Sequence, residues 1–403
     1  MLEEILIRFG ITGRFTVINI VVVSNAFIWY FLVFSILKMI ITEITVLLWS
    51  VHFAGAIVSA VIGAVLSERI RRKTFFISWM MLGVISSFIL SCVTFTSVLN
   101  ILLISLFTGV AFGIGVPASL GCFAEHTAIE NRAKLGGLIL FINSIGTFLL
   151  GLIMSGDITL NGFILAIWRL SGLIIFLLFE PPSESMNNRR NVSFGFILHR
   201  RSFVVYLLPW VMFSLVNYLS VPVLNKLFTA ELVESIVIIE STLAGFFAIM
   251  GGFLSDIFGR KRMSIIGFVM LGLGYAVLGI YPENLLNWYF YILVDSIAWG
   301  LFHVIYIFTI WGDLSEGVST GKYYAIGGLP FYVSNFLRIL IGPYIAEAVS
   351  AYAIFSFTAL FMFLATLPLM FAMETLPEKT LRERELRSYI EKAKRVREKF
   401  TKG

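Results

Sequence analysis

Twelve apolar runs of roughly 20 residues, separated by short polar breaks, leave this chain little choice of fold. Lipid offers the backbone no hydrogen-bond partners, so only helices or closed barrels can cross it. The runs lack the strict alternation of barrel strands, and helices are expected. They read as residues 15–38, 43–66, 74–94, 97–122, 134–155 and 160–180 (spans 1 to 6), then 202–225, 232–255, 263–281, 286–312, 323–347 and 350–373 (spans 7 to 12). Composition agrees: 59% of residues are hydrophobic and only 13% charged, about half the charged share of a soluble domain. The acidic opening (Glu3, Glu4) and late first run are unlike a cleaved signal peptide, so span 1 is expected to be retained.

Basic residues are distributed unevenly around these spans. With the N-terminus inside, only Lys38 and Lys226 fall outside; Arg169 and Arg338 lie within spans, and the other 26 of the 30 Lys and Arg face the cytoplasm. That bias orients the chain, with both termini cytoplasmic in a cytoplasmic (inner) membrane. It also accounts for the formal net charge of +6 without a nucleic-acid partner. Cys92 and Cys122 have no metal-ligand spacing and read as small packing residues, and neither cofactor nor metal is expected.

A signature occurs twice. Leu66-Ser67-Glu68-Arg69-Ile70-Arg71-Arg72-Lys73 follows span 2, and Gly252-Phe253-Leu254-Ser255-Asp256-Ile257-Phe258-Gly259-Arg260-Lys261 follows span 8, with Ser67 and Ser255 separated by 188 positions. Other pairs keep similar offsets: Asn25 with Asn217, Glu125 with Asp313, and Gly136-Gly137 with Gly327-Gly328. Six helices separate equivalent points, so the halves enter the membrane from the same side as a parallel repeat. The organisation read from this is a first six-helix bundle (1–180), a central cytoplasmic loop (181–201), a second bundle (202–374) and a tail (375–403).

These residues resemble the major facilitator superfamily, whose loop 2/3 reads approximately G-x-L-[AS]-D-R-x-G-R-[KR]. The second copy matches at Gly252, Leu254, Ser255, Asp256, Gly259, Arg260 and Lys261. The first has drifted, with Ala64, Glu68 and Arg71 replacing Gly, Asp and Gly, but keeps Arg69, Arg72 and Lys73. Glu130-Asn131-Arg132-Ala133-Lys134-Leu135-Gly136 is similar to the family's loop 4/5. The resemblance implies an all-α fold of twelve transmembrane helices in two pseudo-symmetric six-helix bundles. It further implies that Glu68 meets span 11, and Asp256 the start of span 5, as paired latches of the cytoplasmic gate, where a helix N-terminus favours a carboxylate. The unequal copies imply latches of unequal strength. Glu180-Pro181-Pro182-Ser183-Glu184-Ser185 after span 6 and Glu374-Thr375 after span 12 look like motifs of the sugar-porter branch.

Ionisable residues inside spans are costly and mark a pathway or a buried pair. At about 1.5 Å per residue, His52, Arg169, Glu240, Asp295 and Arg338 fall in one layer near the midplane. His52 and Glu240 are repeat mates, 188 apart. Asp295 and Arg338, on antiparallel neighbours at matching depth, are expected to pair. Arg169, on a span peripheral in the resembled fold, is expected to be structural or to snorkel towards lipid. On a helical wheel Asp295, Trp299, His303 and Tyr306 share one face, as do Phe331, Asn335 and Arg338. An aromatic and polar stripe suits a sugar, an amino acid or an aromatic metabolite. Asn25 and Asn217 are further candidates for cargo contact or for interhelical hydrogen bonding.

The tail carries Leu386, Tyr389, Ile390, Ala393, Val396 and Phe400 on one stripe of a basic helix, expected to lie on anionic lipid headgroups. The whole reads as a monomeric secondary transporter that moves a small organic solute with H+ by alternating access. Uniport and export of drugs or metabolites are alternatives, and a non-transporting sensor is the rival from another class. No Walker, H-E-x-x-H or G-x-S-x-G sequence is present, so neither an ATP motor nor an enzyme is expected.

Overall fold

The computed structural model describes residues 13–40, 44–92, 97–179, 191–315 and 317–377, together with Leu386 and Ile390. Among the described residues eleven helices are long and apolar enough to cross a membrane by themselves, and a bent pair passes the same test together as a twelfth. In order these are α1 (Arg14–Met39), α2 (Thr45–Arg69), α3 (Arg72–Cys92), α4 (Val98–Glu125), α5 (Ile129–Ile153) and α6 (Ile158–Leu178). The second half comprises α7 (Arg201–Leu227), α8 (Glu231–Phe258), α9 (Arg260–Ile280), α10 (Leu285–Ser315), α11 (Thr320–Leu340 with Gly342–Ala348) and α12 (Ala351–Met370). Leu386 and Ile390 are helical and exposed; the rest of the expected tail stripe lies outside the described residues, as do residues 180–190, with the Glu180–Ser185 motif and the first part of the central loop.

Several of these helices are interrupted. α4 breaks at Ile114–Gly115, ahead of Pro117. α7 carries Pro209 and a 3-10 turn at Asn217–Leu219. α10 contains a π-helical turn, His303–Thr309. The halves of α11 meet at 52° around Ile341, immediately before Gly342-Pro343. A proline removes a backbone donor and clashes with the preceding turn, which accounts for the bend at each proline.

Helix contacts rely on small residues, which let backbones come close where lipid supplies no hydrophobic drive. α5 and α8 meet in this way at Gly137 against Ala248, Gly245 against Ser144, and Gly252 against Ala133. The two halves join mainly through α5 with α8 and α2 with α11. The face carrying both signatures is called the basic face below.

Helix ends differ from the expected loops in one respect. α5 starts at Ile129, so Arg132 and Lys134 belong to its first turns, and Arg260, Lys261 and Arg262 begin α9. The amides at these starts are therefore fixed and available as donors. Cys122 is buried as expected, whereas Cys92 is exposed at the end of α3.

Candidate functional site

The π turn in α10 sets the central cavity. A π turn inserts an extra residue into the helix and re-aims the side chains beyond it. Trp299 ahead of this turn, His303 and Tyr306 within it and Trp311 beyond it line a single cavity of about 820 Å³ between the halves. Trp299 packs on His303 with ring centroids 4.6 Å apart, and Tyr306 lies flat on Trp210 of α7 at 5.0 Å. α1 contributes Phe27, Phe31, Phe34 and Lys38 at helical spacing, with the Lys38 ammonium over the Phe34 ring at 5.0 Å. The cavity runs from Trp311 and Tyr324, close to the basic face, to Met39, Ser155 and Asn161 at the face opposite the signatures.

Of the expected cargo residues, Trp299, His303, Tyr306 and Glu240 line this cavity. Asp295 lies behind the wall, its carboxyl facing those of Glu240 and the Tyr291 phenol, and neither of its oxygens accepts a hydrogen bond from a fixed donor. The expected Asp295–Arg338 pair does not form. Arg338 lies instead over the Tyr218 ring at 5.2 Å. Matching depth was the basis of that pairing, but Asp295 is turned towards α8, where Ser296 Oγ also donates to the Glu240 carbonyl at 3.3 Å. Asn335 belongs to the same outer shell: its Nδ2 donates to Tyr218 Oη at 3.2 Å and to the Phe331 carbonyl at 3.0 Å.

Three further candidates point away from the cavity. Asn25 Nδ2 donates to the Trp168 carbonyl at 2.7 Å, and its Oδ1 accepts from Arg169 Nη1 at 2.8 Å. Asn217 accepts from Tyr275 Oη at 2.8 Å. Both repeat mates thus tie the first helix of their half to an outer helix. His52 is fully buried beside the Ser105 carbonyl at Nδ1 (3.0 Å) and Tyr30 Oη at Nε2 (3.1 Å). A carbonyl only accepts, so Nδ1 carries the hydrogen and Nε2 accepts from Tyr30. Arg169 does not snorkel: it is 0% exposed, between Trp29 and Trp79 at 5.3 and 5.0 Å.

The cavity also exposes what the sequence reading passed over. Asn143 of α5 lines it, 2% exposed, with neither amide atom hydrogen-bonded. Tyr30, Trp210, Trp311, Tyr324 and Tyr332 line it as well. Asn143 sits in the middle of its span and was open to the depth count, which considered only ionisable side chains.

At the basic face, the second signature copy is buried in a four-charge network joining the halves. Arg132 Nη1 bonds Asp313 Oδ1. Arg260 reaches Asp313 Oδ2 at 3.2 Å, Asp256 Oδ1 at 2.9 Å and the Ile129 carbonyl at 2.5 Å. Asp256 accepts from the α5 amides of Lys134 at 2.9 Å and Ala133 at 3.4 Å. Two arginines and two aspartates balance, which is what makes such burial tolerable. Gly252 allows the α5 approach, and Gly259, with φ 97°, makes the α8–α9 joint. Glu374 caps α9, accepting from the amides of Arg260 at 2.8 Å and Lys261 at 3.0 Å, while Thr375 Oγ1 donates to Asp313 at 2.9 Å.

The first copy is looser. Glu68 meets α11 through the side chain of Lys322 at 2.8 Å, not through the helix-end amides expected of it. Arg72 pairs with Glu125 at 2.6 Å within its own half, and Arg69 is exposed.

The sequence model of the Major Facilitator Superfamily matches residues 219–401. No curated protein matches the chain by sequence. Among solved structures, the human organic anion transporter MFSD10 (TETRAN) is 14% identical with a TM-score of 0.67, over 88% of this chain and 99% of that one. The proton:xylose symporter XylE bound to 6-bromo-6-deoxy-D-glucose is 15% identical with a TM-score of 0.68, over 90% and 96%. A double-tryptophan variant of XylE is 17% identical with a TM-score of 0.71, over 93% and 98%. The fold is thus shared with these transporters over nearly the whole chain, and the sequence match to the Major Facilitator Superfamily lies in its second half.

Proposed function

We propose that the chain is a secondary transporter that carries a small organic solute, a sugar or another metabolite, across the cytoplasmic membrane by alternating access, with proton coupling. The observation that carries this reading is a cavity between the halves that reaches one face, while the other face is closed by the Arg132–Asp313–Arg260–Asp256 network. Such a closure is a gate if the halves rock about the cavity. The basic face is then cytoplasmic, and this conformation faces outward.

Glu240 and Asp295 are the proposed coupling pair. Two facing carboxylates repel when both are charged, so a single proton held between them is favoured. Arg338, now over Tyr218 beside Glu240, can replace that proton's charge when the halves rock. The transport activities named for MFSD10 and XylE support solute transport here; at 14% and 15% identity their cargoes do not carry over.

Proteoliposomes with an imposed pH gradient test the reading. Glu240→Gln and Asp295→Asn are expected to lose gradient-driven accumulation, with at least one keeping solute exchange. Wild-type accumulation in both variants removes the pair from coupling. A purified protein that binds solutes and never moves them under any gradient is a sensor, not a transporter.

A further inference from the structure

Asn143 is an anomaly in its surroundings. Burying an amide without partners costs free energy, and native structures rarely leave both its atoms unpaired. Here Oδ1 and Nδ2 are both orphaned, in a side chain 2% exposed that lines the central cavity. Tyr306 Oη and Thr147 Oγ1 are orphaned on the same wall, whereas three of its rings have their polar tips occupied. Tyr30 Oη bonds His52, Trp210 Nε1 donates to the Gly327 carbonyl at 3.0 Å, and Tyr324 Oη donates to the Phe308 carbonyl at 2.5 Å. Those rings therefore offer faces, not hydrogen bonds, to whatever enters.

We propose that the cavity takes a neutral, flat aromatic solute bearing a hydrogen-bond donor beside an acceptor, and that Asn143 reads this edge with both amide atoms. A primary amide donates and accepts on adjacent atoms, so it pairs two-pronged with an amide, lactam or nucleobase edge, as Asn does with adenine. Ring faces supply the remaining contact through offset or edge-on stacking. A polyol is a poorer match, because its many hydroxyls need partners, while Tyr30, Trp210 and Tyr324 have theirs committed to protein and the aromatic rings offer mainly carbon faces. The inference rests on the cavity being the cargo site, and it selects among the solutes that reading allows.

Binding to the purified full-length protein, followed by tryptophan fluorescence and thermal shift, separates the classes. The probes are adenine and nicotinamide against D-xylose and D-glucose. At least one amide-edged probe is expected to bind the wild type, with affinity falling about tenfold or more in Asn143→Leu and Asn143→Asp. Leu is nearly isosteric, so removing the orphaned amide should leave the ligand-free melting temperature unchanged or higher. Sugar binding in place of the aromatic probes overturns the proposal, as does equal affinity of the probes for wild type and both variants, or no binding of either aromatic probe to folded protein. A probe that binds through Asn143 and is not carried into proteoliposomes refutes the transport reading alone; a sugar that accumulates refutes this inference alone.

Discussion

Gly252→Ala should open the basic face without touching a charged residue. A Cβ at this position would stand 2.5 Å from the Ala133 carbonyl oxygen and 3.0 Å from both the Ala133 carbonyl carbon and Lys134 Cα, all of them backbone atoms of α5. Ordinary contact begins at 3.4 Å, so α5 and α8 must part by 3.4 − 2.5, or 0.9 Å, at that point. The same stretch of α5 supplies the Lys134 and Ala133 amides to Asp256, at 2.9 and 3.4 Å. A further 0.9 Å takes the Lys134 bond from 2.9 to about 3.8 Å, past the limit of about 3.2 Å for such bonds, and removes what remains of the longer Ala133 contact. Overpacking costs about 1–3 kcal/mol, and a hydrogen bond to a charged group contributes about 1.5–3. A combined loss of about 3 kcal/mol shifts the closed-to-open ratio on the order of 100-fold. Gly321→Ala is the control, because its Cβ would meet nothing nearer than 3.7 Å at the neighbouring contact between halves. Spin labels at Ala128 and Arg262, exposed residues of opposite halves, report the separation by pulsed electron resonance. Gly252→Ala should add a longer-distance population, and Gly321→Ala should not. Identical distance distributions in the two variants would refute the reasoning.

Other substitutions probe the charges directly. Asp313→Asn leaves Arg132 and Arg260 facing a neutral amide, a change that costs about 3–5 kcal/mol for a buried pair; a fall of several degrees in melting temperature at fixed scan rate is expected, and an unchanged value would show that the network is not needed for stability. Glu68→Ala should cost about 1 kcal/mol or less, in line with a partly exposed pair, because Lys322 keeps Asn191 Oδ1 at 2.6 Å and the Val192 carbonyl at 3.0 Å. A loss as large as that of Asp313→Asn would invert the ranking of the two latches. Arg169→Met removes a buried charge whose hydrogen-bond partner is the neutral Asn25, so its melting temperature should equal or exceed the wild type's. Gly83→Ala should lower it, since the added Cβ would overlap that guanidinium, only 3.1 Å from its central carbon.

The chain's apolar runs and the charges between them are enough to place the membrane-crossing helices. The reason is that lipid acts on each helix along its axis: it demands a certain length of apolar residues and stops at the first charges, and both are written in linear order. Depth is legible for the same reason, and the layer containing Glu240, Asp295 and Arg338 is read from residue counts alone. Azimuth is not. Which way a side chain faces depends on the breaks in α4, α7, α10 and α11 and on the neighbour each helix meets. The wheel grouped Asp295 with Trp299, His303 and Tyr306, but Asp295 faces the Glu240 carboxyl behind the wall while the other three line the cavity. Asn25 and Asn217, chosen as inner-helix polar residues, turn to Trp168 and Tyr275. Asn143 carries no charge and gave no signal by cost, yet its orphaned amide ends in the cavity. Sequence by itself determined which segments are helices long and apolar enough to cross; the tertiary structure alone decided which of their costly residues meet, because pairing needs a shared direction as well as a shared position along the helix.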